Sequence, residues 1–157
     1  KETDMKRLYI IAFISFILDF VCKFIITHIL SFNDSIMVIR NFFYISLVKN
    51  TGGAFSIFTG STFLLIVISF LILLGIFTYI YKNNIRNRVS LMGFGLLIGG
   101  AMGNLFDRIF YGYVIDYLDF KVFGYGYPIF NLADSFVVIG AIILLFFAKE
   151  VNNGRRC

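Results

Sequence analysis

The chain has 157 residues, of which 59% are apolar, 19% aromatic and only 15% charged, with a single Pro. A soluble domain carries roughly 25% charged residues, so this composition excludes a water-soluble globule, a disordered chain, a collagen-like fibre and a disulfide scaffold. The net charge of +5 falls in short clusters between apolar runs, a pattern of membrane topology signals and not of a nucleic-acid-binding patch.

In chain order, Met5 reads as the natural start, and residues 1–4 are set aside as an expression remnant. Residues 5–157 read as one polytopic, all-α membrane domain with four spans, at about 8–30, 62–81, 89–106 and 131–148. Each approaches the roughly 20 residues that cross a bilayer. Lys1, Lys6 and Arg7 precede the first span, Lys82, Arg86 and Arg88 join the second to the third, and Lys149, Arg155 and Arg156 follow the fourth. Only Arg40, Lys49, Arg108 and Lys121 lie in the loops at 31–61 and 107–130. By the positive-inside rule both termini are expected in the cytoplasm and both long loops outside.

Those loops have their own character. Met37 to Val48 is a strand-like run of β-branched and aromatic residues. Residues 107–130 hold Tyr111, Tyr113, Tyr117, Phe120, Phe123, Tyr125, Tyr127 and Phe130. Together they predict a small β-containing platform on the outer membrane surface, or simply an aromatic belt at the headgroups. In the third span, Gly95, Gly99 and Gly103 recur every four residues and predict close helix packing, with Gly100 and Asn104 on a separate face.

The acidic residues are few and placed tellingly. Asp107, Asp116, Asp119 and Asp134 gather at the outer ends of spans three and four. Ionisable groups at membrane depth are costly and need partners or a function. Asp116 and Asp134 are separated by enough chain for a loop that returns to the same edge. If they face each other they share one proton, one acting as acid and the other as base on a water. Asn104, Asp107 and Arg108 fall at i, i+3 and i+4, and Arg108 is expected to pair with Asp107 and brace the site. Asp119 reads as an exposed loop residue, and a hard-cation site of Asp116, Asp119 and Asp134 is the minor alternative. Asp34 reads as a solvated loop residue and His28 as interfacial. Asp19 and Lys23, at i and i+4 in the first span, read as a local ion pair, with snorkelling of Lys23 the alternative. Cys22 and Cys157 are not spaced to pair or to bind metal.

Four motifs then occur in order: Asn50-Thr51-Gly52-Gly53-Ala54-Phe55, Gly99-Gly100-Ala101-Met102-Gly103-Asn104-Leu105-Phe106-Asp107-Arg108, Gly112-Tyr113-Val114-Ile115-Asp116-Tyr117 and Phe130-Asn131-Leu132-Ala133-Asp134-Ser135. Together they resemble the bacterial lipoprotein signal peptidases (signal peptidase II) over essentially the whole chain after Met5. Asp19 to Lys23 also resembles that family's first-helix motif, with Phe20 where a polar residue is common, and Tyr117 stands where Phe is common. The resemblance implies a four-helix aspartic endopeptidase of the bacterial cell membrane, with its active site at the outer face. Its substrate would be prolipoprotein carrying a diacylglyceryl group, cut just before the lipidated Cys. It implies Asp116 and Asp134 as the catalytic pair and Asn50, Gly52, Asn104, Asp107, Arg108, Asn131 and Ala133 as lining or bracing residues. It further implies a cradle of strands and a short lid-like helix within 31–61, and Ser135 as a capping or packing residue. No cofactor or metal and no nucleic acid is expected; membrane lipids are expected neighbours, and the chain is expected to be a monomer. Two other readings remain: a proton-coupled transporter or channel, which also uses intramembrane carboxylates, and a non-catalytic adaptor displaying the aromatic platform.

Overall fold

The computed structural model describes residues 2–53, 59–122 and 125–147. The elements in chain order are α1 (Glu2–Ile29), β1 (Ser35–Ile39), β2 (Phe43–Asn50), α2 (Thr62–Lys82), α3 (Arg88–Tyr111), β3 (Val114–Val122), β4 (Tyr125–Gly126) and α4 (Leu132–Phe147). α1 from Met5, α2 and α3 are long and apolar enough to cross a membrane, with mean hydropathies of 2.3, 2.8 and 1.6. The described part of α4 has 16 residues, which at 1.5 Å per residue is about 24 Å and short of the ~30 Å hydrocarbon core. Among the described residues, three helices are thus long and apolar enough to span, and the described part of a shorter apolar helix lies where the fourth is expected.

α3 is the central helix, packed along α1 on one side and α4 on the other. Small residues make both approaches possible. Toward α1, a Cβ on Gly99 would lie 2.5 Å from the Ala12 carbonyl oxygen and 2.6 Å from Ser15 Cβ. Toward α4, a Cβ on Gly140 would lie 2.6 Å from the Gly93 carbonyl oxygen, and a Cβ on Gly100 would run into the Ala133 carbonyl. Leu8, Ala12, Leu73, Ile80, Ile85, Leu91 and Ile98 form a buried cluster that joins α1, α2 and α3. Large apolar residues such as Phe13, Phe24, Phe63 and Phe70 point outward, as lipid-facing positions do.

α3 begins on an Asn87 cap, whose Oδ1 accepts from Val89 N at 2.8 Å and Ser90 N at 3.2 Å. It runs five residues past the predicted end at Phe106 and stops at Gly112, whose φ of +80° is a left-handed C-terminal turn. The charged Asp107-Arg108 pair ends the apolar run but not the helix. α1 likewise begins upstream of the expected span, at Glu2.

The strands form one antiparallel sheet of order β1-β2-β3-β4 at the ends of α1 and α3. The strand-like run is β1 and β2, with a bulge between Met37 and Ile39. The aromatic loop supplies β3, paired through Tyr44↔Asp119, Val48↔Asp116 and Asn50↔Val114. Asp119 is therefore a strand residue and not an exposed loop residue; its Oδ2 accepts from Ser46 Oγ at 2.8 Å. Three positions from Asp116 on a strand, it projects to the opposite face. The expected lid-like helix is not among the described residues of 31–61, and residues 54–58 of that loop lie outside the description.

The packing predicts opposite effects at two glycines. Gly99→Ala should destabilise the protein by about 1–3 kcal/mol, because backbone atoms must move to admit the methyl group. Gly75→Ala in α2, where a Cβ meets nothing within 4 Å, should be neutral or stabilising by up to about 1 kcal/mol from helix propensity. Thermal unfolding in detergent checks both; a lower Tm for Gly75→Ala alone would contradict the packing account.

Candidate active site

Two backbone devices bring Asp116 and Asp134 to the same place. On β3, Asp116 is a diagonal neighbour of Asn50 on β2, because Asn50 pairs with Val114. Asn50 Nδ2 accordingly donates to Asp116 Oδ2 at 2.8 Å. The same Asn50 turns the chain after β2, its Oδ1 accepting from Gly52 N at 2.9 Å. Asp134 is the third residue of α4, and Asn131 is its N-cap. Asn131 Oδ1 accepts from Asp134 N at 2.9 Å, and Asp134 Oδ2 accepts from Asn131 N at 3.2 Å. This is a reciprocal capping box built from Asn and Asp. A carboxylate also suits the positive end of a helix dipole.

Amide side chains then join the two carboxyl groups. Asn131, fully buried, donates from Nδ2 to Asp116 Oδ1 at 2.7 Å and to Asn104 Oδ1 at 3.0 Å. Asn104 Nδ2 donates to Asp134 Oδ1 at 2.7 Å. Arg108 closes the ring from α3, donating to Gly52 O at 3.0 Å and Asn104 O at 3.3 Å. Every carboxylate oxygen of the pair thus accepts from an uncharged N–H.

Beside this ring lies a buried ion triad. Lys23 Nζ is 2.7 Å from Asp19 Oδ2 and 2.7 Å from Asp107 Oδ2. Asp19 Oδ1 also accepts from Ala133 N at 2.9 Å, which ties α1 to the first turn of α4. Gly103 makes room for it: a Cβ there would stand 2.5 Å from Asp19 Oδ2. Asp107 Oδ2 additionally accepts from Ile115 N at 3.1 Å, fixing the start of β3.

The predicted site residues Asn50, Gly52, Asn104, Arg108, Asn131, Asp116 and Asp134 all belong to the ring, and Asp107 belongs to the triad. Ala133 is buried against Gly100 and Gly103, its N–H on Asp19. Two expectations need correction. Asp107 forms its ion pair with Lys23, whereas Arg108 turns to the Gly52 and Asn104 carbonyls; adjacent helix residues do not face each other. Lys23 is only 3% exposed and does not snorkel. Ser135 Oγ donates to Asn131 O at 3.2 Å, a capping contact. His28 is exposed, its Nδ1 2.7 Å from Phe24 O. The reach of Asp19 and Lys23 into the site was missed, although charges inside an apolar span signal partners elsewhere.

Burial, and then the neighbouring Asp134 charge, push the Asp116 carboxyl up from 3.8 to about 7, against the opposing hydrogen bonds from Asn50 and Asn131. The folded state therefore favours the protonated form, and this group's contribution to stability falls as pH rises from about 4 to about 7. Asp116 is 2% exposed yet lines a cavity of about 350 Å³ with Asn50, Thr51, Gly52 and Pro128. Asp134 is half-buried and is not among the described residues of that cavity's wall. The pair can hold one proton between two carboxyl groups, one able to donate and the other to accept.

Comparison with known proteins assigns the chain to a family. Residues 11–149 match the family model for signal peptidase (SPase) II. The lipoprotein signal peptidase of Halothermothrix orenii is 42% identical over 139 residues, covering 88% of this chain and 92% of the relative. That of Bacillus pumilus is 38% identical over 148 residues, covering 94% of each. A bacterial membrane enzyme solved by the in meso method at 2.3 Å resolution superposes with a TM-score of 0.85 at 33% identity, covering 95% of this chain and 91% of that one. The chain belongs to the signal peptidase II family.

One titration checks the electrostatics. The Asp116 carboxyl band, assigned by its loss in Asp116→Asn, should titrate near pH 7 in infrared difference spectra. In Asp134→Asn its midpoint should fall, because a like charge that raised it is gone. A wild-type midpoint near 4, or no movement in the variant, would contradict the coupling of the two groups.

Proposed function

We propose that this protein cuts diacylglyceryl-modified prolipoproteins just before the lipidated Cys, using one water activated by Asp116 and Asp134. Family membership carries the coarser statement that the chain is a signal peptidase acting on prolipoproteins. The observation that carries the finer one is the linkage of two carboxyl groups through the single residue Asn131, whose side-chain amide donates to Asp116 and whose backbone N–H donates to Asp134, beside a cavity that Asp116 lines.

In this reading Asp116 holds the shared proton at neutral pH. Asp134 removes a proton from water as the water oxygen bonds to the scissile carbonyl carbon. Asp116 gives its proton to the carbonyl oxygen, forming a neutral tetrahedral diol. On collapse the C–N bond breaks, and the proton held by Asp134 passes to the leaving nitrogen, while one diol hydroxyl proton returns to Asp116. The products are a signal peptide ending in a carboxyl group and a lipoprotein with a free amine on its lipidated Cys. Asn50 and the Gly52 backbone line the approach and orient the peptide. The acyl chains stay in lipid, so the bond is presented at the membrane's edge.

Residues 5–157 then act as one monomeric domain in the bacterial cytoplasmic membrane, with membrane lipids around it. Lys and Arg cluster on the side of the two termini, which supports cytoplasmic termini and an outward-facing site.

Asp116→Asn and Asp134→Asn should each lower cleavage of a diacylglyceryl-modified prolipoprotein by at least about a thousandfold while helix content is unchanged. The assay is a gel shift with purified protein, beside the unlipidated form, which should remain uncut. Near wild-type processing by either variant would refute the pair, and equal cutting of both substrates would refute the role given to lipid.

A further inference from the structure

Lys23 presents three N–H donors, and pairing with Asp19 uses one. The structure accounts for the other two: Asp107 Oδ2 at 2.7 Å and Asn104 Oδ1 at 3.2 Å. The last of these leads into the site. An Asn side chain is a donor at one end and an acceptor at the other, and its shape is nearly the same either way round. Which end faces a carboxylate depends on what the other end meets.

At Asn104 the oxygen end takes Lys23 Nζ and Asn131 Nδ2, while the nitrogen end donates to Asp134 Oδ1. Reversing it would set an amide NH₂ against an ammonium and against the Asn131 NH₂, and a carbonyl oxygen against Asp134. An ammonium offers only donors and cannot adapt. Asn131 continues the chain: its NH₂ end meets Asn104 Oδ1 and Asp116 Oδ1, while its oxygen end takes Asp134 N. Fixed donors therefore hold the direction of both amides: Lys23 Nζ at Asn104 and the Asp134 backbone N–H at Asn131.

We propose that Lys23 is a positioning residue that sets the polarity of Asn104, keeping its N–H donor on Asp134 and its oxygen on the Asn131 amide that serves Asp116. Asp19 and Asp107, on α1 and α3, supply the counter-charges of the buried ammonium. Asp19 also holds Ala133 N, so the same anchor fixes where α4 begins. Lys23 touches neither substrate nor the reacting atoms in this account, which rests on the reading of Asp116 and Asp134 as the catalytic pair.

The test is a double-mutant cycle on kcat and KM with diacylglyceryl-modified prolipoprotein, normalised to folded protein. Lys23→Met is measured alone and with Asn104→Ala, beside the charge-balanced Asp19→Asn/Lys23→Met, in which Asn at 19 can still accept from Ala133 N. The proposal predicts a kcat at least about tenfold lower for Lys23→Met and for the charge-balanced variant, with KM changed by no more than about twofold. With Asn104 already replaced, removing Lys23 should cost less than about twofold more, because residues acting through one network are not additive. Wild-type kcat, or the same proportional loss with and without Asn104, would overturn it. So would losses in both variants that vanish on normalisation, which would assign Lys23 to folding alone. Asp134→Asn is run in parallel: an active Asp134→Asn variant would instead refute the catalytic pair on which the proposal rests.

Discussion

Asn131 and Asp134 close the first turn of α4 on each other, and the same Asn131 side chain donates to Asp116 on β3. This junction defines the site, because it makes one helix start and one strand share a polar residue. A helix N-terminus leaves backbone N–H groups without intrahelical partners. Here Asp134 N is met by Asn131 and Ala133 N by Asp19. The acid proposed as general base is therefore part of the helix cap. Moving it means uncapping α4.

Placing these groups next to a membrane has a cost that the packing is arranged to meet. A buried ammonium or carboxylate without a partner is strongly destabilising, so Lys23 lies between two carboxylates from two helices. That contact requires α1 and α3 to come close, and glycines permit it. Gly99 lets the Ala12 backbone approach, and Gly103 leaves room for the Asp19 carboxylate. Close helix packing and the electrostatics of the site are thus one design. The Asp116–Asp134 pair has no cation in direct contact among the described residues. It is held by amide donors, which leaves a like-charge pair that favours retaining one proton.

Much of this was legible in the sequence, for identifiable reasons. Asp116 and Asp134 stood out because carboxylates at membrane edges are rare and costly. The glycine spacing of α3 announced its packing, although not that one glycine serves a carboxylate. The apolar stretches located the helices, but their ends followed hydrogen bonding instead of hydropathy: α3 passes through Asp107 and Arg108 and stops at Gly112. β3 was hidden because its aromatic residues also fit a headgroup belt, and its pairing with β2 depends on contacts far away in sequence. Lys23 looked satisfied by its near neighbour Asp19. Its longer reach, to Asp107 and Asn104, exists only once α1 lies on α3. The pairing of Asp107 with Arg108 failed on geometry alone, since consecutive helix residues diverge by about 100°.

The central claim is that two carboxyl groups act together on one water at the scissile bond. A crystal structure with a diacylglyceryl-modified peptide whose scissile amide is replaced by a hydroxyl-bearing tetrahedral carbon addresses it most directly. The account predicts that hydroxyl within about 2.6–3.2 Å of an oxygen of Asp116 and of an oxygen of Asp134. A hydroxyl in contact with only one of them, or a peptide bound away from both, would contradict it.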